Sequence, residues 1–323
     1  YLSSETKQEY RLEIPRGHYQ VEFVKNEITP ANAPATTPRK RPLIGILILI
    51  ISLLSITVVM LLNRHPDGSG DTMADNPIWS DYLSPTSRPT LVVLGDFYFL
   101  YERKPDSTTG NFVRNIYINS PDDFKEMVKR DPSFSTRFFQ SDFTFLRPSA
   151  SWGLAQILPI VQKSPGGYSL KLASQFTVED LETHNIVFIG SFKTLYNLNK
   201  FLHIFALTYT FSPSRLEIQG NEKDSAITFS PQGIRGGNYE KDFAVVAKAA
   251  GPTGSTMLLL LGFADSGVID AAQSVTDPRM ISTITKELSH DSGAQPFNFT
   301  LVLETEGLNQ AVFKSKIRHF VQR

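Results

Sequence analysis

The sequence predicts an α/β protein. A single transmembrane helix is expected, followed by an exported, mostly parallel α/β domain that closes on a C-terminal antiparallel hairpin, with a second β-hairpin near the N-terminus. Three observations predict this. Leu43–Leu62 is an unbroken apolar run with no charge inside it, and a helix of that length rises about 30 Å, the thickness of a bilayer's hydrocarbon core. Thr90–Leu94, Asn185–Ser191 and Thr256–Gly262 are apolar almost throughout over strand length, the pattern of strands buried on both faces of a sheet. Phe297–Glu304 and Ala311–Val321 instead alternate apolar and polar residues around Glu306-Gly307-Leu308-Asn309, which marks a hairpin.

In chain order, Tyr10, Leu12 and Ile14 alternate with polar residues, Pro15-Arg16-Gly17-His18 supplies a turn, and Tyr19, Val21 and Phe23 alternate again. This is a β-hairpin pattern over residues 1–25. Residues 26–42 form a linker in which Pro30, Pro34 and Pro38 favour extended backbone, ending in the basic anchor Arg39-Lys40-Arg41. The expected span is 43–62. With basic residues concentrated before it, the positive-inside rule places the N-terminus in the cytoplasm. The expected location is therefore the inner (plasma) membrane, single-pass, with the C-terminal domain periplasmic or extracellular. A polar spacer, 63–76, leads to the exported domain, 77–323.

Within that domain Thr90–Leu94 opens the sheet. Ser120-Pro121-Asp122-Asp123 starts a helix through Arg130, with a Ser cap, Pro in the first turn and acids at the positive end of the dipole. Ser149–Val161 reads as a helix, Tyr168–Ala173 as a strand, and Thr177–Leu181 as a short capped helix. The strand Asn185–Ser191 precedes helix-like sequence to His203, and Thr256–Gly262 precedes a helix from Val268 to Ser274. Strands alternating with helices argue for an α/β sheet.

Composition narrows the function. The 323 residues carry 32 basic and 32 acidic side chains, so no global field points to a polyanionic partner. The absence of cysteine excludes disulfides, thiolate metal sites and cysteine nucleophiles. Because the first residue is Tyr1 rather than Met, a fragment with sequence missing upstream is expected.

The run Leu12-Glu13-Ile14-Pro15-Arg16-Gly17-His18-Tyr19, followed by Phe23, resembles the C-terminal wing of winged-helix DNA-binding domains of the response-regulator and membrane-bound regulator type. The resemblance covers some twenty residues. It implies that the N-terminal hairpin is a winged-helix remnant, that the recognition helix lies upstream of Tyr1, and that Arg16 is a DNA contact in the full-length protein. The order of wing, Pro-rich linker, span and exported α/β domain resembles bacterial membrane-anchored winged-helix regulators, whose exported domain has no assigned function. DNA is then a partner only through the missing upstream part. Membrane lipid, an unknown extracytoplasmic ligand and a second copy in a homodimer are the other expected partners.

Three strands end in small or acidic residues: Gly95-Asp96, Gly190-Ser191, and Gly262 followed by Asp265-Ser266-Gly267. In an open parallel sheet the carboxyl ends of the strands share one rim, where ligands bind. Gly95, Asp96, Gly190, Ser191, Gly262, Asp265 and Gly267 are therefore the candidate ligand-binding residues. Tight β-to-α turns account for the same glycines locally. No catalytic constellation is found. Gly251-Pro252-Thr253-Gly254-Ser255-Thr256 lacks a phosphate-loop lysine and runs into a strand, and no Gly-x-Ser-x-Gly elbow occurs. The histidines have no metal-ligand spacing. No cofactor, metal or enzymatic activity is expected. The expectation is a membrane-bound one-component transcriptional regulator whose exported domain senses a small molecule or protein. The alternative is a membrane-anchored ligand-binding module or enzyme without a DNA-binding role.

Overall fold

The computed structural model describes residues 10–13, 22–25, 76–104, 109–219, 226–233, 240–289, 298–308 and 311–322. The chain divides into two units, Tyr1–Pro66 and Asp67–Arg323. In the first, β1 (Tyr10–Glu13) pairs antiparallel with β2 (Glu22–Lys25), Leu12 lying opposite Phe23. The turn with Arg16, the linker and Leu43–Leu62 lie outside the described residues.

The second unit begins with a short helix, α1 (Ser80–Leu83). After it come β3 (Thr90–Leu94), β4 (Asp96–Arg103) and β5 (Gly110–Val113), then α2 (Pro121–Arg130), α3 (Phe134–Arg137) and β6 (Phe138–Leu146). The helix α4 (Pro148–Val161), β7 (Tyr168–Leu172), α5 (Asp180–Thr183) and β8 (Asn185–Ser191) follow. The middle of the domain is a 3-10 helix, Tyr196–Phe205, and the strands β9 (Leu207–Phe211), β10 (Ser214–Gln219), β11 (Ala226–Phe229), β12 (Gln232–Gly233) and β13 (Glu240–Ala250). The chain then runs through β14 (Thr256–Gly262), α6 (Asp265–Ser274), α7 (Pro278–Ser289), β15 (Phe299–Leu308) and β16 (Ala311–Gln322).

The main sheet has the order β16-β15-β13-β14-β8-β3-β7, with β12 alongside β13. The joins β14–β8, β8–β3 and β3–β7 are parallel, whereas β13–β14, β13–β15 and β15–β16 are antiparallel. Alternate side chains serve two cores, which is why the central strands read as continuous apolar runs. Leu91, Val93, Phe188, Leu259 and Leu261 pack with Leu198, Leu202 and Phe205 of the 3-10 helix, Leu216 and Ile218 of β10, and Tyr98 and Leu100 of β4. Val92, Leu94, Val187, Ile189, Leu258 and Leu260 pack with Ile157 and Val161 of α4, Val268 and Ala272 of α6, and Ile284 and Leu288 of α7.

This architecture corrects two expectations. The sheet is mixed and strand-rich rather than mostly parallel, because β13 inserts between β14 and β15. That strand is hard to read from sequence: Asp242 and Lys248 mark its two ends, and Ala244, Ala247 and Ala249 dilute its apolar pattern. The expected single transmembrane helix is also corrected. Among the described residues no helix is long and apolar enough to cross a membrane. The apolar segments there are short strands and helices buried on both sides of one sheet, α4 ending after 14 residues. Single-pass topology, inner-membrane location and an exported side rested on Leu43–Leu62 and are corrected with it, since no described helix supports them.

At the amino ends of the parallel strands, the segment from Asn76 to Leu83 is pinned into the domain. Ile78, Trp79 and Tyr82 are fully buried. Trp79 Nε1 donates to the Val275 carbonyl at 2.7 Å and Tyr82 Oη to the Ile186 carbonyl at 2.9 Å. Lys248 of β13, 1% exposed, pairs with Asp81 at 2.7 Å and donates to the Pro77 carbonyl. Burial holds the Lys248 ammonium below the usual lysine range, and the Asp81 charge partly restores it. Removing Asp81 leaves a buried cation supported by one carbonyl. Asp81→Ala is therefore expected to cost about 2–3 kcal/mol in urea denaturation, the low side for a broken buried pair because Asp81 is partly exposed. Adding Lys248→Met should recover most of that loss. A neutral Asp81→Ala contradicts the account.

Candidate functional site

The parallel register brings the three strand ends to one rim. Leu94 lies opposite Ile189, and Gly190 and Ser191 lie opposite Leu261 and Gly262. The Gly95 N–H donates to the Ile189 carbonyl at 2.8 Å, extending the β3–β8 join past the end of β3. Gly95, Gly190, Ser191 and Gly262 thus sit side by side, and the candidate residues fall into two groups along the rim.

On the β14 side, the rim is filled from within. Ala264, at the N-cap of α6, offers no capping side chain. Asp242 of β13 supplies the missing acceptor. Its carboxylate accepts the N–H groups of Phe243 (2.8 Å), Phe263 (3.2 Å), Ala264 (2.9 Å) and Gly267 (2.7 Å), and the Ser266 hydroxyl at 3.4 Å. The Ala264 and Gly267 amides are orphans of the α6 start, at the positive end of the dipole that otherwise attracts an external anion. Gly267 is required for the close approach, since a Cβ there would lie 2.5 Å from Asp242 Oδ2. Asp265, the first residue of α6, is held by Arg147 and the Ser149 hydroxyl. Gly262, Asp265 and Gly267 are thereby committed to internal contacts.

On the β3 side, Gly95 and Gly190 pack backbone against backbone. A Cβ on Gly95 would lie 3.0 Å from the Gly190 Cα and 2.2 Å from Thr194 Oγ1. Thr194, fully buried, donates from that hydroxyl to the Ser191 carbonyl at 2.8 Å. The glycines here admit a threonine wedge. Beyond them the chemistry changes. Asp96 is fully buried. One carboxylate oxygen accepts the Ser174 N–H at 3.0 Å, and the other has no hydrogen-bond partner among the described residues. The hydroxyls of Tyr98, Tyr196 and Ser191 are likewise buried with no partner among the described residues. Four such groups at one end of a sheet are unusual, because each costs about 1–3 kcal/mol if left unsatisfied.

The alternation of β4 delivers Asp96 and Tyr98 inward, while Phe97, Phe99 and Tyr101 point outward. The outward rings join Phe112 and Phe143 in an aromatic face, with Arg114 and Arg147 lying over Phe97 at 5.0 and 5.4 Å. Tyr196 arrives from the opposite side with φ +46°, a left-handed conformation that a non-glycine residue adopts at a cost. Its ring meets Tyr98 edge to face, centroids 6.2 Å apart. Burial, then the charge of Asp96, raise the Tyr196 hydroxyl above the usual tyrosine range, with Arg114 opposing. Burial, reinforced by Asp123, pushes Tyr98 up to about 12. Both phenols therefore stay protonated at neutral pH. Arg114 is engaged elsewhere: its guanidinium donates to the carbonyls of Asn115 and Ile118 and to Asn119 Oδ1. Burial lowers it, and Tyr196 and Asp123 offset that.

Sequence reasoning named Asp96 and Ser191 through the strand-end rule and did not name Tyr196 or Asp242. A tyrosine inside an apolar 3-10 stretch and an aspartate opening an unrecognised strand carry no local signal. It also missed a cavity of about 180 Å³ beside α6 and β16, lined by Asp270, Ser274, Asp277, Met280, Phe313 and Ser315 among others. There the buried Asp270 carboxylate already accepts from Thr305 and Ser274. Among the described residues no cluster of His, Cys, Asp or Glu is arranged to hold a metal ion. No family model matches this chain, and comparison with curated proteins finds no match.

Burial pushes the Asp242 carboxyl up from 3.8 to about 6, against the four N–H donors that hold it down. A carboxyl raised in the folded state contributes stability that is full below its unfolded pKa and is lost as pH rises through the folded one. A shift of about two units corresponds to roughly 3 kcal/mol. The stability advantage of the native chain over Asp242→Asn should therefore shrink by about that amount between pH 4 and pH 7, measured by denaturant titration. An advantage that grows with pH contradicts this balance.

Proposed function

We propose that the protein is a DNA-binding regulator of the winged-helix type whose C-terminal α/β domain reads a small polar ligand at the carboxyl rim. The observation that carries the DNA-binding half is the antiparallel pairing of Tyr10–Glu13 with Glu22–Lys25, which flanks the wing-like run through Ile14-Pro15-Arg16-Gly17-His18-Tyr19. A wing positions phosphate contacts, whereas base reading belongs to the recognition helix in the major groove. In this reading Arg16 serves the first role and a helix upstream of the wing the second. The sensing half is supported by the buried, unpartnered polar groups around Asp96. Such groups call for a partner from outside the chain, a ligand or ordered water, since leaving them unpaired costs stability. Catalysis is not part of the proposal.

The regulator reading is tested at the N-terminus. The coding sequence directly upstream of Tyr1 is expected to encode three helices with a basic third helix, and the chain that includes them to bind DNA site-specifically. Arg16→Ala in that chain should weaken binding evenly across sequences and reduce the salt slope by about 1. The 323 residues alone should give no site-specific mobility shift, since one wing offers few phosphate contacts and no major-groove helix. An upstream sequence without that pattern, or site-specific binding by these residues alone, contradicts the reading.

A further inference from the structure

We infer that the ligand taken at the β3–β4 end of the rim carries an alkylammonium group, received beside the rings of Tyr98 and Tyr196 by the Asp96 oxygen that has no partner among the described residues. This rests on the reading that the rim is a ligand site and names the chemistry it selects.

Asp96 is fully buried, with one oxygen satisfied by the Ser174 N–H and the other unsatisfied. A buried carboxylate repels an anion and calls for a donor. The Arg114 guanidinium donates to Asn115, Ile118 and Asn119 instead of to Asp96, which leaves Asp96 able to take a donor from outside. The phenol oxygens of Tyr98 and Tyr196 are buried and unpartnered as well, and each can accept an N–H while donating elsewhere. Tyr98 follows Asp96 on the same face of β4, and its ring meets that of Tyr196 nearly perpendicular, at 77°; aromatic rings near a carboxylate are surroundings that favour an ammonium ion. The left-handed backbone of Tyr196 is what brings its ring to this place. Strain of this kind persists where the surrounding structure has a use for it.

A carboxylate on the ligand close to its ammonium group would be repelled by the buried Asp96 carboxylate, whereas the α6 amides belong to the core on the other face of the sheet and are taken by Asp242. The site therefore favours amines without a carboxylate.

The test uses the 323-residue chain in differential scanning fluorimetry and isothermal titration calorimetry. The probes are methylammonium, putrescine and agmatine, with ethylene glycol, acetate, glycine and inorganic phosphate as controls. At least one amine is expected to raise the melting temperature, with no effect from the controls. Asp96→Asn should weaken that amine on the order of 10- to 100-fold, the range for a lost charge-assisted hydrogen bond, and Tyr196→Phe about tenfold or less. Far-UV circular dichroism checks that both variants fold, and Tyr196→Phe keeps the test decisive if Asp96→Asn does not. No stabilisation by any amine, or stabilisation unchanged in the variants, overturns the ammonium assignment. If a control stabilises instead and loses its effect in Asp96→Asn, the rim remains a ligand site and only the ammonium assignment falls. If no probe binds and Asp96→Asn is as stable as the native chain, the ligand-site reading falls with it.

Discussion

One buried carboxylate joins the two halves of this domain. Asp242 lies on β13, in the antiparallel half of the sheet, and reaches across to the turn between β14 and α6. There it accepts the amides of Phe263, Ala264 and Gly267. A helix start buried against a sheet needs an acceptor for its first amides, and Ala264 at the cap position cannot provide one. The acceptor therefore comes from a neighbouring strand, and this fixes where α6 begins. Gly267 follows from the same contact, since any side chain there would strike the carboxylate. The same contact closes the α6 end of the rim with the protein's own anion, whereas at the β3–β4 end polar atoms of Asp96, Tyr98 and Tyr196 have no partner among the described residues.

The same strand works at its other end. Asp242, Ala244, Val246 and Lys248 alternate along β13, which places them on one face. The two middle residues belong to the core beneath the helices, and the outer two are buried charges that bind opposite ends of the domain. Asp242 caps α6 at the carboxyl rim, and Lys248 clamps the Asn76–Leu83 segment at the amino ends of the strands. Tyr82 hydrogen-bonds to Ile186 on β8, whose far end is Ser191. The Asn76–Leu83 segment and the carboxyl rim thus lie at opposite ends of β8.

What the sequence revealed and what it hid follow from burial. Thr90–Leu94, Asn185–Ser191 and Thr256–Gly262 were legible because strands covered on both faces leave unbroken apolar runs. The helix from Pro121 was legible from its Ser120 cap, which accepts the Asp123 N–H. The β13 strand was not, because its charged ends are satisfied only by residues distant in the chain: Phe263 and Gly267 for Asp242, Pro77 and Asp81 for Lys248. The β4–β6 sheet was missed for a different reason. Its outward face is aromatic rather than polar, so the alternation that announces a half-exposed strand is absent. At the rim, the strand-end rule located Asp96 and Ser191. It could not distinguish glycines that admit a ligand from glycines that admit Thr194 or Asp242, because that distinction exists only once the strands are side by side.

The measurement that tests this account most directly is native-state hydrogen exchange at the amides of Phe263, Ala264 and Gly267, in the native chain and in Asp242→Ala. If Asp242 holds the two halves together, these amides exchange in the native chain as slowly as those of the β14 core, such as Leu259. In the variant they lose that protection together with the first turn of α6, while β9 and β10 keep theirs. Fast exchange at these amides in the native chain, or protection unchanged by the substitution, would contradict the central role given to Asp242.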